Sequence, residues 1–414
     1  VPDLGLSNTQ FGLLTGLIFI FFYSVAGVFM GVLADRVNRT RLIAAGLALW
    51  SALTALSGMA KGFVSLAIPR LFIGVGESIM TPTAMSLLAD RFPASRLGFA
   101  SGVYYMGVPI GVAASLFVVA YLEPILGWRG CFYALGAVGL VLAAIMFFLK
   151  ETPRKHEVEA LAKKQAKKQA EKQAEKQATE AGEAAAAIQR PTVKEMLAIL
   201  LEAFQNSPAL LMTVLGGVAF HFILGAATFE QLWFVQERGF DRTAIAELSG
   251  WLAFAGGIAG NLFGGVGGDW FLRKTGMGRP MFLFWIMLIL TPISLYYRVV
   301  EPTSLFFMFG IFIGYFQLGC FYGPTFATVQ ELVPPQIRGT VVAFYILSLN
   351  FFGLGLGVTG GGIVVDWMIA EGIAEPYTMT LLAFTALSLI AIPLFYFAGR
   401  RFERDREALY ASLA

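Results

Sequence analysis

Eleven runs of about twenty apolar residues, most of them joined by short loops, constrain this chain more than any other feature. They cover roughly residues 11 to 33, 42 to 59, 63 to 88, 98 to 121, 130 to 149, 208 to 235, 244 to 271, 280 to 298, 303 to 329, 340 to 367 and 377 to 398. A helix needs about 20 apolar residues to cross the hydrocarbon of a bilayer. The runs are too long for barrel strands and do not alternate apolar with polar side chains, so each reads as a spanning helix. With 57% hydrophobic and 14% charged residues and a mean hydropathy of +0.70, a water-soluble fold would expose large apolar patches. A soluble enzyme is therefore excluded. The 38 Phe and 46 Gly fit phenyl rings turned to lipid and helices packed on small residues. Cys131 and Cys320 both lie inside apolar runs and read as packing thiols. No disulfide framework, metal site, cofactor or nucleic-acid partner is expected, and a monomer in the bilayer is.

Orientation follows from the loops, because cytoplasmic loops retain Lys and Arg. Of the 30 basic residues, 24 fall in one set of loops and 5 in the other, and Arg70 lies within a span. The richer set includes Arg36, Arg39, Arg41, Arg91, the segment Lys150 to Lys194, Arg273, Lys274, Arg279, Arg338 and Arg400 to Arg406, so the linker and C-terminus are expected in the cytoplasm. Eleven spans then put Val1 on the outer face, although residues 1 to 10 lack signal-peptide character. The expectation is that a first helix precedes Val1 in the native protein, giving two halves of six.

The division is marked by the one long polar stretch. Residues 1–149 form an N-terminal half with five helices, 150–206 a linker, 207–406 a C-terminal half with six helices, and 407–414 a tail. The linker reads KKQAKKQAEKQAEKQA, strong helix formers with interleaved charge, and then Val193, Met196, Leu197, Leu200, Leu201 and Phe204 make one apolar face suited to a helix on the membrane surface.

The halves repeat each other. GVLADRVNRTR (31–41) matches GVGGDWFLRK (265–274), pairing Asp35 with Asp269. TPTAMSLLADRFPASRLG (81–98) is echoed by GPTFATVQELVPPQIRG (323–339). Such internal duplication is typical of transporters built from repeated bundles. GVLADRVNRTR resembles the signature loop of the major facilitator superfamily, and GVYYMGVPIG (102–111) resembles the Gly-Pro pattern of its fifth helix. RLFIGVGES (70–78) and GPTFATVQELVPPQIRGTVVAFYILSLNFFGLGLG (323–357) are similar to the bacterial branch of the spinster transporters. The resemblance implies an all-α bundle of two pseudo-symmetric halves, a multi-pass protein of a bacterial inner membrane, and proton-linked movement of sphingolipids or lysolipids. Anion symporters share an R-x-x-x-G-x-G-E run.

Arg70 and Glu77 are seven residues apart on one helix face, roughly 10 Å along its axis. Charge in mid-membrane costs a few kcal/mol or more, so both are expected to face a cavity or a partner. Low-dielectric surroundings favour a neutral Glu77 and a guanidinium favours the carboxylate, which suits a residue that binds and releases a proton. The bland alternative is an ion pair that holds helices in register. The resemblance implies that the pair binds substrate and couples protons.

His221 lies in mid-helix as a proton carrier or a hydrogen-bonded packing residue. Asn350 and Tyr104, with Asn261 and Gln317, are expected to line the path or bond between helices. Asp35, Arg36, Arg39, Arg41 and Asp269 read as a cytoplasmic latch by resemblance, or as topology alone by charge. Gly260, in the series Gly256, Gly260, Gly264 and Gly268, and Pro109 mark helices whose backbones touch, either to slide and rock or as static packing.

The function expected is alternating-access transport of an amphiphilic anion or zwitterion, such as a lysolipid or sphingoid phosphate. A small organic anion such as a hexuronate or sugar phosphate is the runner-up, and a passive lipid channel or scramblase is the reading from another class. No Gly-Lys-Ser/Thr phosphate loop exists to use ATP, and no catalytic constellation stands out.

Overall fold

The computed structural model describes residues 2–34, 37–92, 103–151, 201–333 and 338–413, and every regular element among them is helical. In the first half these are α1 (Asn8–Thr15), α2 (Leu17–Ala34), α3 (Arg39–Ser57), α4 (Phe63–Glu77), α5 (Met80–Arg91), α6 (Gly107–Phe117) and α7 (Glu123–Phe148). The second half contains α8 (Pro208–Ala226), α9 (Glu230–Gln236), α10 (Arg242–Thr275), α11 (Arg279–Tyr296), α12 (Leu305–Glu331), α13 (Arg338–Ser348), α14 (Leu356–Ala370), α15 (Pro376–Ser388) and α16 (Ala391–Leu413). Local chemistry sets their starts. Ser7 and Gln10 form a reciprocal capping box on α1, while Asn38, Ser207, Asp241 and Ser304 each accept a backbone N–H at the start of α3, α8, α10 and α12. Gly276, at φ +68°, ends α10 in the left-handed conformation that a side chain would strain.

Nine stretches of described helix are long and apolar enough to cross a membrane. One of them, Val103–Phe148, is 46 residues long and leaves helical geometry at Gly127 (φ 67°), so it holds two of the expected runs. Arg242–Thr275 is helical over 34 residues but, with eight glycines along it, is not among the nine. Several spans are broken rather than straight: α2 follows α1 across Gly16, α5 follows α4 across Ser78 and Ile79, and π turns at Val118–Leu122 and Leu349–Gly355 precede α7 and α14. Most of the linker expected at 150–206 lies outside the described residues. Of its apolar face, Leu201 is exposed and Phe204 packs on the C-terminal core. In the stretch expected as a tail, 407–414, α16 continues as helix to Leu413 through a run of good helix formers. Asp405 is buried on this helix and accepts from the Ser207 hydroxyl and the Ala209 N–H at the start of α8.

Each half packs on itself, most extensively through α3 with α7 and α10 with α12. Loops and helix ends carrying Arg39, Arg91, Arg273, Lys274, Arg279 and Arg400 gather at one end of the bundle, here termed the basic end. The halves meet along two seams, α1 with α14 and α6 with α10. Both lie toward the distal end.

Candidate functional site

Glycines on two faces of α4 explain how the Arg70 to Glu77 segment is held. A Cβ at Gly74 would lie 2.7 Å from the Phe19 carbonyl oxygen, and one at Gly76 would lie 3.2 Å from that of Gly46, so α4 wedges tightly between α2 and α3. Arg70 lies 5.5 Å from the centroid of the Phe19 ring, a cation–π contact. Phe19 stacks on Tyr23 at 5.9 Å, and Tyr23 lies within electrostatic range of Glu77. The Tyr104 hydroxyl is 3.3 Å from Thr81 Oγ1, and its ring meets Tyr105 edge-on at 5.3 Å. Arg70 and Glu77 are both half-buried and within electrostatic range of each other. Among the described residues, neither forms a salt bridge. The register-holding ion pair weighed above is therefore not the arrangement in the structure.

His221 and Asn350 sit elsewhere. His221 is 3% exposed, with Nδ1 2.9 Å from the Gly217 carbonyl oxygen of its own helix. Its ring meets Phe321 at 4.9 Å and Tyr322 at 5.9 Å, and Gly353 of the neighbouring π turn lies against its Cβ. That is the environment of a packing histidine. Asn350 is half-buried in the same π turn. Asn261 donates to the Gly257 carbonyl one turn back, whereas Gln317 bonds across helices, accepting from Ser294 at 3.3 Å and reaching Thr291.

At the basic end, arginine clamps recur in both halves. Arg39, 1% exposed, pairs with Asp90 at 2.5 Å and Glu151 at 3.1 Å and donates to Ser86. Arg279 pairs with Asp269 at 2.7 Å and Glu331 at 2.9 Å. These clamps tie helices within a half. Arg41 is exposed and lies over the Phe147 ring. Asp35 and Arg36 lie outside the described residues.

Gly260 is not on a seam between the halves. A Cβ there would overlap the Phe316 carbonyl oxygen, so Gly256, Gly260 and Gly264 seat α12 inside one half. The adjacent helix face meets the other half: a Cβ at Gly257 would lie 2.7 Å from Pro109, and one at Gly250 would lie 2.6 Å from Phe117. Spacing alone could not tell the two faces apart. Nearer the basic end, Tyr105 stacks on Phe326 of α12 at 6.1 Å and bridges the halves.

A buried charge cluster near the distal end of the second half was not legible in the sequence. Arg298, 5% exposed at its side chain, pairs with Glu230 at 3.3 Å, and the Tyr297 hydroxyl donates to the same carboxylate. Arg238 donates to the Arg298 carbonyl and to Thr378, while Glu237 accepts from the Tyr377 and Thr378 backbone N–H groups and from the Thr378 hydroxyl. Trp233 lies beneath both guanidiniums and donates to Thr378 at 2.7 Å. In sequence Glu237, Arg238 and Arg298 fall at the ends of apolar runs and Glu230 inside one, and nothing there brings them together.

Several known proteins are similar to this chain. The chain is 27% identical over 97% of its length to an MFS-type efflux pump of Mycolicibacterium smegmatis, spanning 87% of that protein. It is 25% identical over 92% of its length to the hexuronate transporter of Bacillus subtilis, again spanning 87%. A probable sphingolipid transporter, spinster homolog 1 of Arabidopsis thaliana, is 27% identical over 55% of this chain and 46% of its own. The solved structure of a bacterial homolog of the human lysosomal transporter Spinster, inward-facing and unoccupied, superposes with a TM-score of 0.75 at 21% identity, covering 97% of this chain and 91% of that one. A sequence profile described as Major Facilitator Superfamily matches residues 1–358. Two helical halves that meet along paired seams, each with an arginine clamp at the same end, are the structural counterpart of that match, and the chain belongs to the Major Facilitator Superfamily.

Proposed function

We propose that this transporter moves an amphiphilic anion or zwitterion with one acyl-like tail by alternating access, with Glu77 as the proton-exchanging group and Arg70 as the headgroup contact. The observation that carries this reading is the pair itself: two half-buried mid-helix charges without a salt bridge among the described residues, beside Tyr23, Thr81 and Tyr104. Intramembrane charges persist where they work, and an unpaired guanidinium offers a fork suited to phosphate or carboxylate. Phe19, Tyr23, Tyr104 and Tyr105 supply an aromatic lining for a chain. The similarity to a probable sphingolipid transporter favours the lipid, and the basic end is the cytoplasmic face of a bacterial inner membrane in this reading.

A small organic anion is the second reading, favoured by the similarity to a hexuronate transporter. Uptake into proteoliposomes across lysophospholipids, sphingoid phosphates and hexuronates, with and without a pH gradient, tests both. Arg70→Ala is expected to erase headgroup preference. Uptake of hexuronates with no response to any lysolipid would reverse the choice of substrate. Absence of trans-acceleration by preloaded substrate would replace a carrier with a pore.

A further inference from the structure

The two seams share a construction that neither the clamps nor the Arg70 site explains. In the first, Gly12 lies against the Val358 carbonyl oxygen, Gly16 against Thr359 and the Gly355 carbonyl, and Gly362 against the Asn8 carbonyl, so α1 and α14 touch backbone to backbone. Thr359 Oγ1 bonds both ways across this contact, accepting from Leu17 N–H and donating to the Gly12 carbonyl, each at 3.3 Å. In the second, Pro109, Ala113, Leu116 and Phe117 pack against Gly250, Ala253 and Gly257. Small residues on these faces let the two halves approach closely. What crowns each seam at the distal rim differs from the packing below.

The crown of the first seam is a carboxylate. Asp366, on α14, accepts from the Asn8 N–H at 3.0 Å, the Asn8 side-chain amide at 2.9 Å and the Thr9 N–H at 2.7 Å, and Tyr377 donates to Asn8 Oδ1 at 2.9 Å. The first-turn N–H groups of α1 have no acceptor within their own helix, so a carboxylate from the opposite half completes the helix start. The second seam carries a more open crown: Tyr121 donates to Glu247 at 2.6 Å, and Arg242, 59% exposed, pairs with Glu123 at 3.2 Å. Charge-assisted bonds to a half-buried carboxylate outweigh an exposed ion pair.

We infer that Asp366 is the distal gate residue of this transporter, holding the halves shut at that end by capping α1 from across the seam, with Glu123–Arg242 as a weaker second latch. The bonds must break for the distal end to open. This rests on the alternating-access reading, and the test separates the two. Spin labels at Lys61→Cys and Glu301→Cys report the distal end, and flux is measured on the same proteoliposomes. Asp366→Ala is expected to raise the ratio of distal-open to distal-closed molecules about tenfold or more, the worth of one hydrogen bond to a charged acceptor. Asp366→Asn, nearly isosteric and neutral, is expected to fall between it and wild type and carries the test where alanine folds poorly. Arg242→Ala should give a smaller rise in the same direction, and the exposed neighbour Glu371→Ala none. Distances unchanged in both Asp366 variants overturn the gate even if counterflow persists. A shifted population with unaltered flux supports the gate and overturns alternating access as the transport step.

Discussion

Two sites inside the bundle, one in each half, hold charge in opposite ways. In the first, Arg70 and Glu77 lie half-buried on α4 without a salt bridge among the described residues, touched by aromatic rings and hydroxyls. In the second, Arg298 pairs with Glu230, which also accepts from Tyr297, while Arg238 and Glu237 bond to Thr378 and to backbone groups around Trp233. A buried charge that finds its partners within the protein has its desolvation cost offset and serves the fold. One left open keeps its bonding capacity for something that arrives and leaves. On the function proposed for Arg70 and Glu77, the contrast separates charge that serves the fold from charge that serves transport.

Substitutions at both sites can break this comparison. The largest loss of stability is expected for Arg298→Met, which leaves Glu230 buried and unpaired, at about 3–5 kcal/mol. Thermal unfolding in detergent, with substrate binding measured on the surviving fraction, reads it; a loss confined to transport would mean that the cluster is not structural. Gly260→Leu comes next, costing about 1–3 kcal/mol because the side chain has to displace the α12 backbone. Its effect on flux should follow from damage inside one half, and unchanged labelling of cysteines on the two faces of the bundle would agree. Glu77→Gln is expected to change stability by less than about 1 kcal/mol while uptake falls to its level without a pH gradient. Gradient-driven uptake that survives in Glu77→Gln removes Glu77 from coupling and removes the functional side of the comparison. The smallest effect belongs to Arg41→Ala, an exposed basic-end residue, within about 0.5 kcal/mol of wild type.

Features that depend on one stretch of chain were legible in the sequence. Helix positions, the duplicated acidic and basic motifs and the Arg70 to Glu77 face all follow from local periodicity and spacing. Features that depend on which distant residues meet were not. Asp366 and Asn8 are 358 positions apart, and nothing in either neighbourhood names the other. The same limit explains Gly260 and Gly257, three residues apart on one glycine-rich helix, of which one faces its own half and the other faces Pro109. Arg39 showed as a charge near a helix end, but its burial between Asp90 and Glu151 needed the fold.

Helix α10 has a further consequence, for how the protein is made. Its glycines give it close contacts on two sides, but they also leave Arg242–Thr275 outside the nine stretches apolar enough to cross a bilayer by length and composition. A segment of that kind gains little from leaving the insertion machinery for lipid alone. The surface that would stabilise it in the membrane is the backbone of α12, which begins at Leu305 and is synthesised only after all of α11. The glycine face that seats α12 inside the second half therefore ties the stability of α10 in the membrane to a helix made after it.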